Sequence, residues 1–287
     1  MRDDQDKWLV ESEWLASHLR APGLVILDGS MHLPASGRNA KSEFAAEHIP
    51  AALFFDIDDI ADTTSPLPHM LPPAEKFASR MKKMGIGDGM QIVAYDSQGL
   101  YSAARVWWMF RAMGHEEVRV LNGGLKKWKA EGRPLESGDA QPRTARHFSA
   151  VRNAQLIRDV ADVKALLGSL RAQIVDARAA GRFEGSAPEP RAGLRSGHIP
   201  GSRNLPFDSL LNADGTMKGA SELVAIFAKA GVDPSKRVVA SCGSGVTAGV
   251  IALALAILGR ADAAVYDGSW SEWGADPSLP IETGPSR

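Results

Sequence analysis

Cysteine is almost absent: Cys242 is the only one in 287 residues. A lone cysteine excludes an internal disulfide and a cysteine-rich zinc site. An excess of one charge is lacking too. The chain carries 33 basic and 34 acidic residues, a formal net charge of -1, so it has no electrostatic footprint for nucleic acid or an anionic membrane. Long hydrophobic runs are also missing. The longest, Val246 to Leu258, is too short to span a bilayer and contains Thr247 and Gly249. The first residues, Met1-Arg2-Asp3-Asp4-Gln5-Asp6-Lys7, are acidic and polar, unlike a secretory or transit segment. The expectation is a soluble cytoplasmic protein.

What is present is globular in composition, 44% hydrophobic and 23% charged, in a chain longer than one small domain. Cys242 opens the segment Cys242-Gly243-Ser244-Gly245-Val246-Thr247-Ala248. Apolar Val238-Val239-Ala240-Ser241 precedes it and a long small-apolar helical stretch follows. A strand feeding a glycine-rich loop and a helix aims backbone N–H groups at whatever sits in the loop. Such a setting favours the anionic form of a thiol and makes it a nucleophile. A buried structural cysteine is the competing reading.

The chain repeats itself. Leu24-Val25-Ile26-Leu27-Asp28 returns as Ala172-Gln173-Ile174-Val175-Asp176, His48-Ile49-Pro50 as His198-Ile199-Pro200, and Phe55-Asp56 as Phe207-Asp208. Gln91 to Asp96 returns as Arg237 to Cys242, and Asn122-Gly123-Gly124 as Asp267-Gly268-Ser269. The offsets, 148, 150, 152, 146 and 145, keep their order, which marks a tandem duplication. Strands are expected near Leu24–Leu27, Ile92–Tyr95, Val118–Leu121, Ile174–Asp176, Arg237–Ser241 and Ala263–Tyr266. Helices are expected near Glu13–Leu19, Ala74–Met84, Ser102–Met113, Asp159–Leu167, Ser221–Ala230 and Thr247–Leu258. Nearly unbroken apolar strands alternating with amphipathic stretches predict α/β domains, each a mainly parallel sheet with helices on both faces. The Cys242 loop then falls at the carboxyl ends of strands, where such sheets bind ligands. Residues 1–138 form the expected first domain, 139–150 a connection, and 151–287 the second domain.

The duplication is an internal control. Residues shared by both halves, such as Asp28 and Asp176, His48 and His198, or Trp128 and Trp273, read as scaffold. Chemistry belongs where the halves differ. Asp96 lies opposite Cys242 and cannot act as a sulfur nucleophile, so the first half is silent at that position.

Two such domains with the cysteine only in the second resemble the tandem sulfurtransferases of the rhodanese family. The paired His-Ile-Pro motifs, Cys242-Gly243-Ser244-Gly245-Val246-Thr247 and Gly181-Arg182-Phe183-Glu184-Gly185 carry the resemblance. It implies two rhodanese-like domains and sulfur transfer from 3-mercaptopyruvate to Cys242, giving pyruvate and a cysteine persulfide. A thiol, thioredoxin or cyanide then takes the sulfur. No cofactor and no metal are implied, and no nucleic acid or membrane partner. Relatives that prefer thiosulfate carry basic residues after the cysteine. Here Gly243 and Ser244 are neutral, which favours a monoanionic keto acid over a dianion.

The resemblance further implies that Arg182 and Arg191 hold the donor's carboxylate, as bidentate guanidinium groups can. It implies a Ser244-His69-Asp58 relay reaching from the first domain to the cysteine loop, with Asp58 orienting His69 and Ser244 passing the proton. The loop residues Gly243, Gly245, Val246 and Thr247 would line the donor site. Thr247 could equally cap the following helix. A loop histidine and a solvent-facing aspartate remain the alternative for His69 and Asp58. Three rival functions stand beside this one. Thiosulfate:cyanide transfer on the same fold differs only in donor. A cysteine phosphatase needs an arginine six residues after the cysteine, where Ala248 stands. A non-catalytic binding module would have no use for the loop and both arginines.

Overall fold

A computed structural model of the chain describes residues 3–286. Each half builds a five-stranded, wholly parallel sheet. In the first, β1 (Leu9–Val10), β2 (Leu24–Asp28), β3 (Leu53–Phe54), β4 (Gln91–Tyr95) and β5 (Val118–Leu121) lie in the order β1-β5-β4-β2-β3. In the second, β6 (Ile157–Arg158), β7 (Gln173–Asp176), β8 (Arg203–Asn204), β9 (Val238–Ser241) and β10 (Ala264–Tyr266) lie in the order β6-β10-β9-β7-β8. The second order repeats the first strand for strand, so the sequence duplication is a duplication of topology. Parallel pairing demands a crossover after every strand. The first half supplies helices α1 (Gln5–Trp8), α2 (Ser12–His18), α3 (Ala40–Ala46), α4 (Ile57–Ile60), α5 (Ala74–Lys83), α6 (Ala103–Ala112) and α7 (Gly124–Ala130). The second supplies α8 (Val160–Lys164), α9 (Ala180–Glu184), α10 (Ala220–Lys229), α11 (Ala248–Ile257) and α12 (Ser269–Trp273).

Every residue of β2 is buried, because both faces of the sheet are covered. Val25 and Leu27 face a cluster with Phe77 of α5 and Trp107 and Phe110 of α6. Leu24 and Ile26 face Leu15 of α2, Phe44 of α3 and Trp128 of α7. The second half follows suit: Val175 and Ala240 face α10 and α11, and Ile174 and Val239 face Val163 of α8 and Trp270 and Trp273 of α12. The six central strands stand where periodicity placed them, within a residue or so. Each sheet has two strands more than expected. These four, β1, β3, β6 and β8, are two residues long, too short to show any period. The helix expected over Asp159–Leu167 is regular only over Val160–Lys164, opened by a capping box between Asp159 and Asp162. Among the described residues no helix is long and apolar enough to cross a membrane.

Residues 139–150 contain no helix or strand. They run along the first half, where Phe148 is buried against Phe77 and Phe110. The two halves share one core. All ten residues of α6 and all ten of α11 are buried, and they belong to a cluster that runs from one sheet to the other. α11 is apolar all round, and in α6 Arg105 and Arg111 are buried with the rest, so neither helix keeps a solvent face. Gly249 lets the two helices close: a Cβ there would lie 2.8 Å from the backbone carbonyl of Ala104.

The scaffold histidines do what shared residues should. His48 Nδ1 bonds Phe44 O and His198 Nδ1 bonds Phe183 O, both at 2.8 Å, each ring stacked on the same phenylalanine. The paired aspartates diverge. Asp176 holds Arg178 in a fully buried ion pair at 2.7 Å. Asp28 accepts the Ser30 N–H at 2.8 Å, and among the described residues no cation pairs with it. Burial pushes its carboxyl up to about 6.

Two measurements check this account. Gly249→Val puts a branched side chain against the α6 backbone, and overpacking of this kind costs about 2 kcal/mol. Its melting temperature should fall by roughly 4–8 °C for a chain of this size; an unchanged value would mean that the helices part without cost. The second concerns Asp28. Folded, it keeps its proton until about pH 6, whereas the unfolded chain releases it near pH 4. Between these values the folded state binds more protons, so this group weakens the fold as pH rises. The stability of Asp28→Asn relative to wild type should therefore grow by on the order of 2–3 kcal/mol from pH 4 to pH 7. A difference constant across that range would refute the raised value.

Candidate active site

β9 delivers Cys242 to the carboxyl end of the second sheet, and α12 fixes the loop from behind. Trp270 N–H of α12 donates to Cys242 O at 3.0 Å, and Ser271 donates to Gly243 O through both its N–H and its hydroxyl, each at 2.8 Å. Ser269 Oγ accepts the Cys242 N–H at 3.1 Å and donates to Tyr266 O at 2.8 Å. Gly245 sits at φ 77°, and a Cβ there would fall 2.7 Å from Asp267 O. The loop carbonyls are thus tied down. Among the described residues the N–H groups of Ser244, Gly245, Thr247 and Ala248 have no acceptor in the protein.

The first half shows what such a loop accommodates. Asp96, opposite Cys242, turns its carboxylate into its own loop. Oδ1 accepts Gln98 N–H at 2.9 Å and Gly99 N–H at 3.0 Å, and Oδ2 accepts Tyr101, Ser102 and Ala103 N–H at 2.7, 2.9 and 2.8 Å. Four of those donors correspond to Ser244, Gly245, Thr247 and Ala248 of the second half. The first loop carries its own anion; the second presents the same donors beside a thiol.

Cys242, only 2% exposed, lies in a cavity of about 160 Å³. Gly243, Ser244, Val246 and Thr247 line it, with Arg182, Arg191 and Phe207 from the second half and Leu33 and Tyr101 from the first. Gly245 supports the loop from outside this lining. Thr247 takes the N-cap position of α11, but its hydroxyl makes no capping bond. Arg182, in the last turn of α9, reaches over the loop, so that a Cβ on Gly243 would lie 2.9 Å from its Nη2. It is held there by Glu189 at 2.6 Å, whose other oxygen takes Arg178 at 2.7 Å. Burial, then the neighbouring Cys242, pushes the Tyr101 hydroxyl up to about 12, so it stays protonated.

Asp58 and His69 come from the first half. Asp56 caps α4 by accepting the Asp58 and Asp59 N–H groups, which sets Asp58 on the first turn. Asp58 Oδ1 meets His69 Nδ1 at 2.5 Å. That bond first, and then the charge of Arg191, holds the Asp58 carboxyl below its ordinary value. The remaining link of the expected relay differs. His69 Nε2 faces Arg191 Nη2 at 3.1 Å, and no hydrogen bond joins His69 to Ser244. A guanidinium only donates, so Nε2 accepts and the ring proton sits on Nδ1, pointing at Asp58. In this state Arg191 occupies the lone pair that Ser244 would need.

The sequence reading missed Tyr101, Glu189, Ser269, Arg105 and Asp267. Asp267 and Arg105 were open to the rule that chemistry lies where the halves differ, since Asn122 stands opposite the first and Ile251 opposite the second. Ser269 had the same signal, facing Gly124. Asp96→Asn checks the internal anion. The amide keeps Oδ1 but sets an NH₂ against donors, so the fold should lose about 2–3 kcal/mol, with little change in the Cys242 loop. A neutral effect on denaturant midpoint would mean that those donors are satisfied without the charge.

Comparison with known proteins agrees with this geometry. Residues 11–131 and 159–276 each match the rhodanese-like domain. Human 3-mercaptopyruvate sulfurtransferase is 49% identical over 271 residues, covering 92% of this chain and 91% of that protein. Rat thiosulfate sulfurtransferase is 45% identical over 287 residues, covering 97% and 96%. The crystal structure of the 3-mercaptopyruvate sulfotransferase SseA from Escherichia coli matches with a TM-score of 0.84 at 42% identity, covering 92% of this chain and 98% of that one. The chain belongs to the rhodanese-like family, as two such domains in tandem.

Proposed function

We propose that the protein is a sulfurtransferase that takes sulfur from 3-mercaptopyruvate onto Cys242 and passes it to a thiol. One observation carries this reading: the thiol, Arg182 and Arg191 line one small cavity together with Ser244 and Thr247, whose N–H groups have no acceptor among the described residues. The Cys242 thiolate attacks the donor's sulfur; the S–S bond forms as the C–S bond breaks, and the electron pair leaves on carbon as the pyruvate enolate. One proton on that carbon completes pyruvate. The loop N–H groups stabilise the anionic sulfur before and after transfer. Arg191 is shared: when it turns to the donor's carboxylate, His69 Nε2 is released to take the Cys242 proton through Ser244. Asp58 steadies the ring as it gains charge.

Relatives named for mercaptopyruvate and for thiosulfate are similarly close, so the choice of donor rests on the site. Gly243 and Ser244 add no cation, and Glu189 offsets part of the charge of Arg178 and Arg182. A pocket so balanced suits one negative charge better than two. No second cysteine exists to resolve the persulfide, so an external thiol such as thioredoxin must discharge it. A compartment rich in reduced thiols, such as the cytoplasm, fits that need.

The test is pyruvate and sulfide release from 3-mercaptopyruvate with excess dithiol, beside thiosulfate with cyanide. Wild type should turn over mercaptopyruvate far faster than thiosulfate, Cys242→Ser should turn over neither, and His69→Ala should lower turnover without loss of fold. A thiosulfate preference would transfer the assignment to the other donor, and activity in Cys242→Ser would remove the nucleophile.

A further inference from the structure

Arg105 and Asp267 form a buried ion pair across the two halves, Nη1 to Oδ1 at 2.6 Å, with side chains 0% and 5% exposed. Arg105 comes from α6, where its guanidinium lies 4.4 Å from the centre of the Trp108 ring. Asp267 follows β10, in the loop that leads to α12. Such a pair is seldom more stabilising than apolar residues of equal volume. What it holds is therefore informative. Arg105 Nη2 donates to the carbonyl of His69, and Nη1 also donates to Gly245 O at 3.2 Å. The second oxygen of Asp267 accepts the Leu71 N–H at 2.6 Å. The backbone on either side of Met70 is thus gripped by the two partners of one ion pair, and the same pair touches the Cys242 loop.

His69 is held in the left-handed region, φ 62°, a conformation that a non-glycine residue keeps only when its surroundings impose it. We infer that the Arg105–Asp267 pair is a positioning device for His69: it fixes the strained backbone that aims the ring at Asp58 and Arg191, and it ties that backbone to the Cys242 loop across the domain interface. Neither side chain lines the cavity. They act through His69, so the inference rests on the role proposed for His69 above.

The test is a double-mutant cycle of Asp267→Asn and His69→Ala, read as kcat and KM for 3-mercaptopyruvate, with melting temperature recorded for each protein. Asp267→Asn keeps size and one acceptor oxygen. It should lower kcat by about tenfold to a hundredfold, the usual effect of misplacing a reacting group. KM should stay within about twofold, because Arg182 is still held by Glu189. In the His69→Ala background it should lower kcat no further. Effects that multiply would overturn the inference, since damage unrelated to His69 adds independently. If His69→Ala alone leaves turnover unchanged, the relay itself fails, a separate result. Should Asp267→Asn not fold, Arg105→Lys takes its place in the cycle, keeping the buried charge but losing the fork that spans both carbonyls. If both are unfolded, the pair serves stability alone and the positioning role is rejected.

Discussion

The packing of α6 against α11 is the contact on which everything else depends. Neither helix keeps a face exposed to water, so both are covered wholly by the rest of the protein. Their shared burial makes one core out of two sheets, and it draws segments more than a hundred residues apart in sequence into one cavity. The absence of a side chain at Gly249 permits the approach, and Arg105, one residue beyond the point of contact, is carried by it to the edge of the cysteine loop. The geometry of the Cys242 cavity is therefore a property of the interface as much as of either domain.

Much of this was legible in the sequence. The central strands, the long helices and the duplication follow from periodicity and from motifs that recur in order, both local signals. The cysteine loop was legible because strand, glycine loop and helix are contiguous. The pairing of Arg191 with His69 was not, since 122 residues separate them and only the packing of the halves decides their distance. The two-residue strands were equally beyond reach, being created by neighbours rather than by their own pattern. Glu189 lies between the two arginines in sequence, yet whether it meets Arg182, Arg178 or solvent depends on how the segment after α9 folds back. Asp267 and Arg105 are a different case. The contrast between the halves marked them, and attention to the loop alone passed them over.

Duplication has also separated two ways of completing the same loop. In one copy the backbone donors close on a carboxylate supplied by the chain, and the structure is finished on folding. In the other they are left facing a thiol. The comparison assigns the loop's shape to the backbone and its chemistry to one side chain.

The depth of Cys242 has a consequence for how sulfur can leave. A cysteine only 2% exposed is shielded from any bulky partner. On the proposed chemistry, the outer atom of a persulfide stands about 2 Å further toward the cavity mouth than the cysteine sulfur. An incoming thiolate then meets the outer sulfur first, and attack there hands the sulfur over. Attack on the inner one would instead trap the enzyme as a mixed disulfide. Burial alone would thus separate delivery from inactivation, without a second cysteine to police the outcome.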